Sequence, residues 1–276
     1  MFHRPFAILG LLWLPVCSFG QMTATQTQET IRRSAQATHA DWERASNFDF
    51  CERDQTKAGS RTYAVLMIEG SPYNRLVQVN DSDLSSEQEA LEQQKLASTV
   101  QRRHQETPEQ RSKRATQYQK ERRRDQELLE QLTAAMDFTS MGTEWVDSRP
   151  VDVFEATPHR GYVPISRDTH VLTAMKGKLW IDPSSFRWIK VQAGVVKPVS
   201  IVGFMARVQP GTRFTLEESP IATDMWLPRH FAVQSRAKIA FFFEKYSEED
   251  ETYFDYKPSG TLSADSCKSN NATTNH

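Results

Sequence analysis

The sequence predicts an α+β fold: a curved antiparallel β-sheet or half-open β-barrel with an N-terminal helix and an inserted long helical hairpin. Period-two hydrophobic alternation begins at Asn47 and resumes from Phe138 to Tyr256. Between them, residues 82–135 break that alternation with a stretch dominated by Glu, Gln, Lys and Arg. Residues 170–196 read as two long strands closed by a tight turn at Pro183, Ser184 and Ser185, with Asp182 and Pro183 suited to the first two places of a type I turn. In that pair, Leu179 and Ile181 are expected to share a face with Ile189, Val191 and Ala193. Trp180 should meet Trp188 on the other face, among Lys178, Lys190 and Phe186. Both faces are apolar, so both need covering.

The chain of 276 residues opens with His3 and Arg4, an apolar run from Phe6 to Val16 and small residues before Gln21. This pattern is a secretory signal over residues 1–20, cut after Gly20, with a lipid anchor at Cys17 as the minor alternative. Periplasmic or secreted localisation follows. Residues 21–257 are then expected to form one β domain, and the polar residues 258–276 a disordered tail. Two cysteines remain in an oxidising compartment, Cys51 and Cys267. A buried free thiol at Cys51 is preferred to a bridge, because Cys267 sits in the polar tail. Metal-ligand spacing is absent, and no cofactor is expected.

After a polar stretch from Gln21 to Gln28, Glu29 to Ala45 places Ile31, Ala35, Trp42 and Ala45 at helical spacing. Strands follow around Phe48 and Phe50, over 61–69 and from Tyr73 to Val79, with a turn at Gly70-Ser71-Pro72. Ser86 with Glu89, and Thr107 with Pro108, mark the starts of two helices that meet near Gln105. Leu84, Leu91, Leu96 and Val100 would seat the first helix, and Leu128, Leu129 and Leu132 the end of the second. From Lys95 to Arg124 there are ten Lys/Arg and three acidic residues. The overall charge is −1, so any electrostatic preference is local. Later strands are expected over 138–146, 151–156, 171–181, 186–196, 213–217, 231–243 and 252–256.

No Ser nucleophile elbow, Gly-rich phosphate loop or His-Glu-x-x-His is present, and the seven histidines are scattered. A non-enzymatic protein is the expectation. Gly177, Leu179, Trp180, Ile181 and Asp182, followed later by Trp226 and Pro228, resemble the strand ends of periplasmic lipoprotein-sorting carriers (LolA/LolB-like), and more closely uncharacterised secreted bacterial proteins of that type. The resemblance implies a half-open barrel closed by helices, with lipid acyl chains in its concavity. Independently of that likeness, a single sheet apolar on both faces leaves a surface that either a hydrophobic ligand or envelope lipid occupies, or side chains and helices fill completely. Trp180, Trp188, Phe204, Trp226 and Phe242 are the candidate lining residues. The alternative is an interaction module whose basic arm (Arg111, Lys113, Arg114, Arg122, Arg123 and Arg124) docks to an anionic lipid surface or an envelope protein. Nucleic acid is not an expected partner, since Tyr118 is the arm's lone aromatic.

Overall fold

The computed structural model describes residues 21–202, 206–239 and 243–268. The expected signal (1–20), the last eight residues and two of the candidate lining residues, Phe204 and Phe242, lie outside the described residues.

The first element among the described residues is α1 (Ala24–Arg44), which begins five residues earlier than its apolar stripe suggests. Thr23 caps it and Gln26 reaches back to the Thr23 backbone, a reciprocal box inside the stretch that composition alone marks as loose. Its buried side is mostly small and polar (Thr27, Thr30, Ile31, Ser34, Thr38, Asp41), so apolar spacing understates its length. Strands β1 (Phe48–Thr56), β2 (Gly59–Ile68), β3 (Ser71–Val79) and the short β4 (Ser82–Asp83) follow. Glu69 and Gly70 both have positive φ at the β2–β3 turn, as a two-residue hairpin loop requires.

The helical hairpin comes next, α2 (Ser86–His104) and α3 (Pro108–Ala135). Thr107 and Pro108 start α3 as expected, whereas α2 is capped by Ser85 with Gln88 rather than by Ser86 with Glu89. Then come β5 (Met136–Val146), β6 (Arg149–Pro158), a 3₁₀ turn (Thr169–Ala174), β7 (Met175–Ile181), β8 (Trp188–Val195), β9 (Val199–Val202), β10 (Ala206–Val208), β11 (Arg213–Ala222), β12 (Met225–Ile239) and β13 (Phe243–Pro258).

Among the described residues the strands form one antiparallel sheet with the path β4-β3-β2-β1-β13-β12-β11-β8-β7-β6-β5, and β9 and β10 branch from β12. Its two ends do not pair, so the sheet is open. Register shifts interrupt the β1/β13, β2/β3, β5/β6, β7/β8 and β11/β12 ladders, and each such bulge adds local bend and twist. β12 begins at Met225 and runs through Pro228, a residue that reads as a breaker. It is tolerated beside the bulge where Glu217 pairs His230 and Glu218 pairs Pro228.

One bulge overturns part of the expected hairpin. Trp180 pairs Lys190 but Ile181 pairs Trp188, so one extra residue lies on β8. Trp188 is thereby moved to the face of Leu179, Ile181 and Val191, and Ile189 to the face of Trp180. The turn is also longer: Phe186, with positive φ, donates its N–H to the Asp182 carbonyl, and Asp182 Oδ2 accepts from Ser184 Oγ, Ser185 N and Ser185 Oγ.

The expectation of a free Cys51 is wrong. Cys51 and Cys267 form a disulfide, which is consistent with an oxidising envelope compartment. The tail is ordered as far as Lys268: a 3₁₀ turn (Ala264–Cys267) packs with Leu262 against Cys51, Ala64, Val77 and Phe254. Lys268 ties the segment to Glu89 of α2 at 3.0 Å.

Candidate functional site

Alternation on β6 separates two apolar layers. Val151 and Val153 point one way, with Trp180, Ile189 and Trp226. Phe154 and Ala156 point the other, toward α1 and α3. On this second, concave side, facing residues of successive strands form rows, one of them running from Phe154 through Leu179, Val191, Leu216 and Phe231 to Glu251 and Asp54.

The helices do not fill this face. A hollow of about 720 Å³ lies between it and the helices, within the size range of small-molecule sites. Trp42 of α1 and Leu129 and Leu132 of α3 form one wall; Phe138, Leu179, Trp188, Val191, Leu216 and Phe231 form the sheet wall; Val171, Leu172 and Met175 line one end. The lining is overwhelmingly apolar. Gly177 is part of it, and a Cβ there would stand 2.5 Å from the Gln192 carbonyl oxygen, so the close approach of β7 to β8 requires glycine.

Buried carboxyl groups gather at two places. Glu251 and Tyr253 line the hollow from β13, paired in register with Asp54 and Glu52 of β1. The Tyr253 hydroxyl donates to Glu251. Burial, aided by Asp54 and Glu251, pushes the Glu52 carboxyl up to about 8, and burial also raises Glu251. The second place is where α1 meets the sheet. Asp41, 1% exposed, accepts from Arg187 Nε at 2.5 Å, Arg44 Nη2 at 2.7 Å and the Trp226 backbone N–H at 3.1 Å. Next to it Glu218 accepts from Trp42 Nε1 at 3.1 Å, and burial pushes its carboxyl up to about 8. A neutral acid there avoids placing a second charge against Asp41. This network holds Trp42 over the hollow, in an edge-to-face contact with Trp188.

Of the expected lining residues, Trp188 lines the hollow. Trp180 and Trp226 do not; they pack on the opposite face with Val151, Val153 and Ile189, and Trp180 Nε1 donates to Glu144 at 2.8 Å. Sequence reasoning missed Trp42, Leu216 and Phe231 as lining. Leu216 and Phe231 belong to the row of Leu179 and Val191, which only the strand pairing reveals, and Trp42 reaches Trp188 from α1.

The basic arm is not freestanding. Arg114 pairs with Glu106 at 2.5 Å and donates to the Glu69 carbonyl and Ser71 Oγ. Arg103 donates to the carbonyls of Ile68, Ser71 and Pro72. The two guanidinium groups thus grip the β2–β3 turn from α2 and α3. Arg122 donates to the Trp42 and Glu43 carbonyls and lies over Tyr118. Arg111, Lys113 and Arg123 are exposed, while the side chain of Arg124 lies outside the described residues. Leu91, expected to seat α2, is 50% exposed; Glu92, Thr99 and Arg103 are buried instead.

No protein-family model matches the chain, and no curated protein matches it in sequence. In three dimensions it is similar to an outer membrane lipoprotein-sorting protein domain from Vibrio parahaemolyticus, at 13% identity and TM-score 0.39, over 89% of this chain and 97% of that one. It is also similar to a DUF1329 family protein from Desulfovibrio piger (9%, TM-score 0.34, 88% and 96% covered). A LolA superfamily protein from Nitrosomonas europaea matches in the same way (13%, TM-score 0.32, 87% and 96% covered). These likenesses span most of the chain at low identity.

Proposed function

We propose that the protein is a non-enzymatic periplasmic or secreted carrier that holds a hydrophobic ligand, such as the acyl portion of an envelope lipid, in the concave hollow. The observation that carries this reading is an open, apolar space of about 720 Å³ between the sheet and the helices α1 and α3. Leaving that much apolar surface uncovered costs stability at roughly 25 cal/mol per Å², and a bound acyl chain recovers it. At the β1/β13 wall burial pushes the Glu52 carboxyl up to about 8 and raises that of Glu251, which favours their neutral forms beside an apolar space.

The test is native mass spectrometry of the chain purified from a cell-envelope fraction. A co-purifying lipid adduct that organic extraction removes is expected. An adduct-free protein that takes up no lipid on incubation would count against the carrier. The alternative, docking of the helical hairpin to an envelope protein or anionic lipid, draws on the exposed Arg111, Lys113 and Arg123, since Arg114 and Arg122 have work inside the fold.

A further inference from the structure

The hollow is lined at one end by Val171 and Leu172 of the 3₁₀ turn Thr169–Ala174 and by Met175 and Val195. The loop leading into that turn alternates in exposure from residue to residue. Tyr162, Pro164 and Ser166 face inward: Tyr162 packs on the cluster of Leu172, Met175 and Val195, its hydroxyl donates to Gln131 of α3 at 3.2 Å, and Ser166 bonds with the buried Thr169. Val163, Ile165 and Arg167 face outward, with Val163 78% and Ile165 64% exposed. Val196, 52% exposed, is tied to the C-terminal end of the same turn through its N–H on the Ala174 carbonyl at 2.8 Å. The protein therefore displays branched apolar side chains on a well-anchored loop, at the lip of its own apolar cavity.

The segments that build this lip are mostly cationic, although Asp137 of β5 also reaches it and pairs with His159 at 2.8 Å. Residues 159–178 and 195–208 together contain six Lys/Arg and a single carboxylate, Asp168. Arg160, Arg167 and Lys197 are exposed, and among the described residues none of the three has a carboxylate within ion-pair distance. Exposed apolar residues ringed by cations match an anionic bilayer surface, which offers hydrocarbon beneath a layer of negative head groups. An acidic protein would complement the charges but gives no reason for three exposed aliphatic side chains on one rim.

We propose that Val163, Ile165 and Val196, with Arg160, Arg167 and Lys197, form the surface by which this protein docks to an anionic phospholipid membrane. Docking there sets this end of the hollow against the bilayer, and the helical hairpin is not required for it.

Sedimentation of the full chain with phosphatidylcholine vesicles, with and without phosphatidylglycerol, tests this. Binding should require the anionic lipid and weaken with salt. Val163→Asp with Ile165→Asp should reduce it roughly tenfold or more, whereas Arg111→Glu with Arg123→Glu should leave it within about twofold. Both side chains point into solvent, so thermal unfolding of the lip variant should match the parent. Val163→Trp adds a direct probe: its emission should shift to the blue on anionic vesicles. Parent protein that fails to bind anionic vesicles, binding unaltered in the lip variant, or binding lost only in the hairpin variant would each overturn the proposal. Lipid adducts measured on the same lip variant keep the result separate from the carrier reading, because the hollow is intact.

Discussion

The two halves of the sheet are covered in opposite ways. Over β1–β3, the C-terminal segment and α2 close down onto small side chains: the Cys51–Cys267 disulfide, Ala64 and Val77 pack with Leu262 and Ala264, and arginines from α2 and α3 hold the turn. Over β6–β12, α1 and α3 stand off a face lined by Leu, Val, Phe and Trp side chains, held apart by the Asp41 network at one end and Leu129 and Leu132 along the other helix. Covalent and charged ties thus seal the first half. The second is kept open by ties placed at its margin.

This contrast can be broken most severely at its anchors. Asp41→Ala leaves Arg187 and the Trp226 N–H without their acceptor and should destabilise the fold by about 3–5 kcal/mol in chemical denaturation; a change under about 1 kcal/mol would remove Asp41 from its role as spacer. Replacing Cys51 and Cys267 with serine opens a loop spanning a sequence separation of 216 and should cost about 2–5 kcal/mol, seen as a lowered thermal midpoint. The sharpest comparison uses one substitution in both halves. Val77→Trp overpacks the closed face and should cost about 1–3 kcal/mol or more, while Val191→Trp fills empty space and should leave stability nearly unchanged. Equal losses in the two variants would show that the hollow is not there.

A smaller effect concerns pH. The Glu218 carboxyl, buried against α1, titrates near 8 when folded and near 4.5 when unfolded. The folded protein therefore holds the extra proton between these values. Stability from this group is complete below about pH 4.5 and declines as pH rises through 8. Glu52 contributes with the same sign. Thermal unfolding followed from pH 5 to pH 9 should show falling stability, and Glu218→Gln should flatten the slope; an unchanged slope would mean Glu218 ionises freely in the fold.

Several of these features were legible in the sequence for identifiable reasons. The helical hairpin was, because Thr107-Pro108 chemistry is local and its composition differs from the flanking strands. The antiparallel β pattern was, because alternation survives in each strand. The faces of Trp188 and Ile189 were not, since one bulged residue on β8 inverts them and leaves no compositional trace. The disulfide escaped because Cys267 follows a polar stretch; Leu262 and Ala264 were the available hint that the segment packs. The inward work of Arg103, Arg114 and Arg122 was also invisible, since a guanidinium that grips carbonyls occupies the same helical positions as a solvated one.

The most direct measurement of the central claim is equilibrium titration of delipidated protein with a fluorescent acyl-chain probe. Saturable binding is expected, retained in the exposed-surface variant Arg123→Glu and abolished in Val191→Trp. Absence of saturable uptake by the parent protein, or undiminished uptake by Val191→Trp, would contradict a ligand-holding hollow.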